Sequence, residues 1–350
     1  MSLTALTLPT TTTLPPFTPP PRFAETSFES YRPQHPSQEE ALERVQAFST
    51  SSSVSTGASA DTRLRWPWQP RVVLSGRGLY LDGGFGVGKT HLLAAAYHAS
   101  TVSEKAYLSF QELVYAVGVK GMAQAKTELG GIQLFCIDEF ELDDPGNTLI
   151  IKTFLAHVFG QGGFVLTTSN TPPAAQGQGR FNAGDFKREI QSVAERFAVA
   201  SLDGPDYRKR TRTVTLPSDD ELRHRYLHED APEPKLMLGW GELLELLGRY
   251  HPIRYYELLG RFGTLYLRGA ETLASQNDAL RFVHFIDKAY DYGKSLRLSG
   301  APLETLFDPS YRDGAYAKKH YRCLSRLSEM LEAAIEPSAE DCADQPNRGQ

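Results

Sequence analysis

The sequence predicts an α/β fold: a parallel sheet with helices on both faces, followed by a mixed α/β C-terminal part. Three observations lead there. Short apolar strands alternate with helices from residue 78 to residue 202. A glycine-rich loop leaves the first of those strands and opens a helix. A later apolar strand ends in two adjacent acids, Asp138 and Glu139. Strands that alternate with helices pair in parallel and are covered on both sides, and such sheets bind ligands at the carboxyl ends of their strands.

The elements follow in order. Residues 1–30 are Thr/Pro-rich, with Pro15, Pro16, Pro19, Pro20 and Pro21, and are expected to form a disordered tail because they offer little apolar surface to bury. A helix is expected over 37–48, where Pro36-Ser37 precedes Glu39 and Glu40 as a start signal. The Ser/Thr/Gly/Ala-rich run at 49–59 reads as a loop. Strands are then expected at 78–82, 106–110, 132–138, 164–168 and 197–202, with helices at 91–100, 111–119, 148–159 and 186–196 between them.

Beyond about residue 215 the acidic, proline-rich stretch Glu229 to Pro234 separates off a second half. It carries strands at 265–268 and 295–298 and helices at 278–290 and 315–331. Its strand, loop, helix, strand order loosely echoes residues 132–168. The expected division is a core over 31–215, a lid or sheet extension over 216–335, and a disordered tail over 336–350.

Composition narrows the function. The chain has 350 residues with 37 Lys and Arg against 42 Asp and Glu, a formal charge of −5, which is no surplus for coating nucleic acid but leaves room for a local basic groove. No run approaches the roughly 20 apolar residues of a membrane span. Cys136, Cys323 and Cys342 are odd in number and far apart, which fits neither a disulfide framework nor a zinc ribbon and suggests a reducing compartment. The N-terminus lacks secretory and transit-peptide features, so a cytoplasmic protein is expected.

The chemistry sits in three motifs. Gly83-Gly84-Phe85-Gly86-Val87-Gly88-Lys89-Thr90 matches G-x-x-x-x-G-K-[ST] between an apolar strand and an apolar helix. Glycines let backbone N–H groups close on phosphate oxygens at a helix N-terminus. Lys89 would reach the β and γ phosphates of ATP, and the Thr90 hydroxyl would ligate Mg²⁺. Asp138 would hold the metal through its water shell, and Glu139 would polarise the attacking water. That second acid argues for hydrolysis rather than transfer to an acceptor, the small-molecule kinase alternative. Asn170, closing the strand Thr167-Thr168-Ser169, is placed to orient water beside the γ-phosphate; the plainer reading is an Asn in a turn before Pro172 and Pro173.

These motifs in this order look like an AAA+ ATPase. The strings Ile137-Asp138-Glu139-Phe140, Thr168-Ser169-Asn170-Thr171-Pro172-Pro173, Gly179-Arg180-Phe181 and Asp206-Tyr207-Arg208 narrow the resemblance to the ZapE family of division-associated ATPases and its mitochondrial AFG1-like relatives. His251-Pro252-Ile253-Arg254-Tyr255, residues 279–283 and 285–291, and Cys323-Leu324-Ser325-Arg326-Leu327 agree, so the resemblance runs from about Ser37 to Met330. It implies ATP hydrolysis in a homo-oligomeric ring and association with the tubulin-like division-ring protein, while the mitochondrial relatives are linked to protein quality control.

An AAA+ ring takes an arginine from the neighbouring subunit. Arg180 and Arg196 compete for that place, and both being surface residues stays open. Arg281 is the candidate for a cis-acting sensor; its plainer reading is a charge on a solvated helix face. The run Arg208-Lys209-Arg210 with Arg212 reads more as a solvated edge than a nucleic-acid groove. His224 and His228 share a helix face but lack an obvious third metal ligand beyond Glu229. Cys136 lies within an apolar strand and is no reactive thiol. Two rival functions remain. One is a helicase-loader-like adaptor, suggested by the local likeness of residues 107–114 to that branch. The other is a nucleotide-gated module with negligible turnover, against which Glu139 speaks.

Overall fold

The computed structural model describes residues 6–9, 14–55, 78–142, 144–176, 183–204, 214–311 and 316–332. It divides into two compact units, Leu14–Arg208 and a second formed by Lys209–Gln350 with Met1–Thr13.

The first unit opens with α1 (Pro36–Ser55), which runs into the Ser-rich stretch read as a loop over 49–59; residues 56–59 of that stretch lie outside the described residues. Ser49, Thr50, Ser51 and Ser52 return their hydroxyls to carbonyls three or four residues back, so they extend the helix rather than end it. Then follow β1 (Gly78–Gly83), α2 (Lys89–Ala99), β2 (Lys105–Ser109), α3 (Phe110–Lys120), α4 (Met122–Glu128), β3 (Leu134–Asp138), α5 (Pro145–Gly160), β4 (Phe164–Ser169), α6 (Ala183–Ala194) and β5 (Phe197–Leu202). The five strands form one sheet in the order β2-β3-β4-β1-β5, every pair parallel. β1, which feeds the glycine-rich loop, is therefore interior and flanked by β4 and β5. It is the parallel sheet that the alternation of strands and helices predicts.

Alternation along β1 sorts the two cores. Leu79 and Leu81 pack on the face of α1 and α2, with Val45, Leu92 and Leu93. Tyr80 packs on the other face with Phe140, Phe154 and Phe197. The interior strands β1, β3 and β4 are buried along nearly their whole length, as strands covered on both faces are, whereas the edge strand β5 exposes Ala198, Val199 and Ser201.

The Thr/Pro-rich segment is not a free tail where it is described. Phe17 presents its carbonyl to the Tyr107 amide at 2.9 Å, along the edge strand β2, and Leu14 and Phe17 pack against the core. Phe23 and Phe28 pack on the opposite face. Four apolar anchors among the prolines provide the burial that composition alone obscured. Earlier still, Leu6 and Leu8 are buried in the core of the second unit.

The second unit contains α7 (Asp219–His228), β6 (Lys235–Gly239), α8 (Trp240–Arg249), α9 (Tyr255–Leu259), β7 (Thr264–Ala270), α10 (Gln276–Asp291), β8 (Ser295–Gly300) and α11 (Ala317–Glu332). Its three strands make a separate parallel sheet, β6-β7-β8. The segment Glu229 to Pro234 is not a linker: Glu229 is ion-paired with Arg297, and Ala231 is buried.

This sheet repeats half of the first. Lys105, Leu108, Phe110, Glu112 and Leu113 of β2–α3 correspond to Lys235, Leu238, Trp240, Glu242 and Leu243 of β6–α8. In both, the glutamate side chain accepts from the amide three residues back, Ser109 N at 2.7 Å and Gly239 N at 2.6 Å. Ser109 pairs with Asp138 and Gly239 pairs with Arg268. The copy thus carries an arginine where the first sheet carries its acid, and no glycine-rich loop precedes it.

Candidate nucleotide site

The loop between β1 and α2 is shaped by its glycines. Gly86 and Gly88 have φ of 67° and 92°, conformations that side chains disfavour, and Gly88 is the residue at which α2 begins. A Cβ on Gly83 would meet the Leu202 carbonyl oxygen at 2.1 Å, so β5 closes on the loop's first residue. Lys89 is buried, and its ammonium donates to the carbonyls of Gly83 (2.8 Å) and Gly84 (2.5 Å) and to Asn170 Oδ1 (2.9 Å). The loop therefore curls round a cation beside a helix N-terminus, a cradle suited to a polyphosphate.

The strand tips complete the arrangement. The Thr90 hydroxyl lies 3.3 Å from both Asp138 carboxylate oxygens. Thr168 Oγ1 donates to Asp138, and the Tyr107 hydroxyl donates to its other oxygen at 3.4 Å. Glu139 follows with φ of 54°, the only non-glycine positive φ among the described residues. Its amide is held by Thr168 Oγ1 at 3.0 Å and Asp138 Oδ1 at 3.2 Å, and the next amide, Phe140, donates to the Thr168 carbonyl at 2.7 Å. Beneath lies Gln176, buried, whose amide nitrogen reaches the Tyr80 hydroxyl at 2.7 Å and the Phe140 carbonyl at 3.0 Å. A hydroxyl and a carboxylate facing each other at the mouth of the loop are hard oxygen donors, and they fit a divalent cation such as Mg²⁺.

The structure thus brings Gly83, Gly84, Gly86, Gly88, Lys89, Thr90, Asp138, Glu139 and Asn170 together. Phe85 is half-buried in the same loop, and Val87 buries its side chain. Arg196 is exposed immediately before β5. Arg180 and the basic run 208–212 lie outside the described residues. Arg281 has another duty: it donates to the carbonyls of Leu247 (2.7 Å) and Tyr250 (2.9 Å) at the end of α8, so its guanidinium is tied within the second unit and is neither a solvated charge nor poised for phosphate. His224 and His228 do face each other at 4.5 Å, yet no cluster of three metal-ligating side chains occurs among the described residues. Cys136 is buried, and burial pushes its thiol well above the usual range, leaving an inert core residue.

Three side chains at the site were given no role by the sequence, although Thr168 and Tyr107 lie in strings that carry a resemblance. Tyr107 and Thr168 reach Asp138 from neighbouring strands, and Tyr31 reaches the loop from the N-terminal segment. Strand register could have found the first two, because both lie at the carboxyl ends of strands beside β3.

The AFG1-like ATPase family model matches residues 17–229 and 238–337. The chain belongs to that family. It is an ATPase, a hydrolase with a P-loop AAA+ core. Among relatives, it is 26% identical over 297 residues to the cell division protein ZapE of Escherichia coli, covering 73% of this chain and 78% of that one. It is 23% identical over 297 residues to lactation elevated protein 1 homolog B of Danio rerio, covering 69% and 59%. Among solved structures, AMPPCP-bound DnaA from Aquifex aeolicus aligns with a TM-score of 0.37 at 14% identity, over 51% of this chain and half of that one. No helix among the described residues is long and apolar enough to cross a membrane.

Proposed function

We propose that this AFG1-like ATPase hydrolyses MgATP at the loop of residues 83–90 and uses the cycle to remodel a protein partner, one belonging to the cell-division machinery. The observation that carries the chemistry is the pairing of the Thr90 hydroxyl with both oxygens of Asp138 beside Glu139. The backbone amides of the loop and Lys89 would bind the phosphates. Mg²⁺, when bound, supplies charge neutralisation at the β and γ phosphates. Thr90 and Asp138 would hold that ion, Asp138 being kept in one orientation by Thr168 and Tyr107. Glu139 would take the proton of the attacking water, and Asn170, placed by its bond to Lys89, would orient that water. An arginine from an adjacent protomer of a homo-oligomeric ring, Arg196 or Arg180, would complete the charge on the transferred group.

Support for the division role is the relationship to ZapE. The alternative, a helicase-loader-like or nucleic-acid-linked ATPase, predicts a salt-dependent affinity for single-stranded DNA. Steady-state phosphate release decides the catalytic part. Lys89→Ala is expected to abolish nucleotide binding, and Glu139→Gln to bind ATP but lose turnover. Equal turnover by Glu139→Gln and parent would refute the assignment of the base. An ATP-dependent pull-down with the Glu139→Gln trap addresses the partner: division proteins support the first reading, and replication factors the alternative.

A further inference from the structure

The N-terminal segment crosses the outside of the phosphate loop. Tyr31 is buried, and its hydroxyl donates to the Val87 carbonyl at 3.0 Å. Its ring presses on the next residue so closely that a Cβ on Gly88 would come within 2.5 Å of the ring edge. The same segment grips the first turn of α2. His91 Nε2 lies 3.0 Å from both the Ser27 carbonyl oxygen and the Ser30 hydroxyl, and its ring centroid is 5.3 Å from that of Tyr31.

This contact falls on the part of the loop that most needs it. The peptide joining Val87 to Gly88 is flanked by glycines in the positive-φ region, Gly86 at 67° and Gly88 at 92°. Glycine backbone has the widest choice of conformations, so the sequence of the loop alone does not hold this peptide in one orientation. In a trans, planar peptide the carbonyl and the following N–H point in opposite directions. A hydroxyl that pins the Val87 carbonyl toward the strap therefore fixes the Gly88 N–H on the side away from it.

We propose that Tyr31 is a positioning residue of the ATPase site, its hydroxyl locking the 87–88 peptide so that the Gly88 amide is presented to the nucleotide phosphates. The proposal rests on the reading of residues 83–90 as the phosphate cradle. In this role Tyr31 acts through Val87. Because the amide contacts phosphate in the bound ground state and the transition state alike, losing its orientation raises the nucleotide dissociation constant and KM together and spares kcat.

The test is Tyr31→Phe in the full chain, which keeps the ring and removes only the hydroxyl. MgATP affinity is measured by calorimetric titration, kcat and KM by phosphate release, and the unfolding midpoint without nucleotide. Removing one such hydrogen bond is expected to raise Kd and KM about tenfold, with kcat within about twofold of the parent. A purely structural tyrosine would lower the fraction of active enzyme, so that kcat falls while KM stays. That partition, or no change in either constant, overturns the proposal. Lys89→Ala is run alongside: if it binds MgATP as well as the parent, the cradle assignment fails rather than the role of Tyr31.

Discussion

Glu139 occupies a left-handed backbone conformation (φ 54°) that costs a residue with a Cβ about 1–2 kcal/mol. The amides of Glu139 and Phe140, tied to Thr168, hold it there. Glu139→Gly should leave the urea midpoint at or above the parent value, because glycine relieves that strain, while phosphate release falls by roughly 10²–10⁴, the usual worth of a general base. A stability loss above about 2 kcal/mol would count against the strain argument. Thr168→Val should lower kcat by about tenfold through a loosened Asp138, with nucleotide affinity little changed. Lys89, Thr90, Asp138 and Asn170 were legible in the sequence because a phosphate loop and an acid-tipped strand dictate spacing. Tyr31, Tyr107 and Thr168 were not, since their approach depends on register and on a segment whose prolines mask its aromatic anchors.

Helices α10 and α11 are joined by a buried charge cluster. Asp287 accepts from Arg322 Nη2 at 2.5 Å and Arg326 Nη1 at 2.7 Å. Burial alone would raise the Asp287 carboxyl, but the two guanidinium groups outweigh it and hold the group well below its ordinary 3.8. The linkage has a definite sign. A carboxyl depressed in the folded state contributes stability that is complete above its unfolded value and is lost as pH falls toward its folded one. Acid unfolding of the second unit should therefore set in below about pH 4, and Asp287→Asn should flatten that limb. Asp287→Ala removes the carboxylate shared by two buried arginines, of which Arg326 keeps Asp291 at 3.8 Å, and should cost about 3 kcal/mol in a denaturant titration. Element reading had uneven success for a physical reason. β5 was read at its observed bounds, because Arg196 and Asp203 bracket a clean apolar run. β6 and α8 were missed because β6 follows directly on a charged, proline-rich turn and passes into α8 with no residue between them.

At the scale of the whole molecule, two parallel sheets of related design coexist in one chain. Only the first has the loop and the acid, so one nucleotide per protomer is the expected stoichiometry in calorimetry; two would show that the sheet bearing Arg268 also binds. The ring reading makes a separate prediction. If Arg196 acts on a neighbour's nucleotide, Arg196→Ala and Lys89→Ala proteins, each inactive alone, should regain a fraction of the parent's phosphate release when mixed. No gain on mixing would exclude Arg196 from that place. The fold class was readable because alternation and motif order report on backbone topology. The repeat was readable only as a loose echo until the paired registers of β2–β3 and β6–β7 could be compared.

The Phe17 carbonyl on the Tyr107 amide occupies part of the open rim of β2, the outermost strand of the first sheet. Exposed strand rims recruit further strands from other molecules. Proteolytic trimming of the chain past Phe17 would uncover that rim, and the trimmed protein should be prone to intermolecular β-aggregation even with its nucleotide chemistry intact.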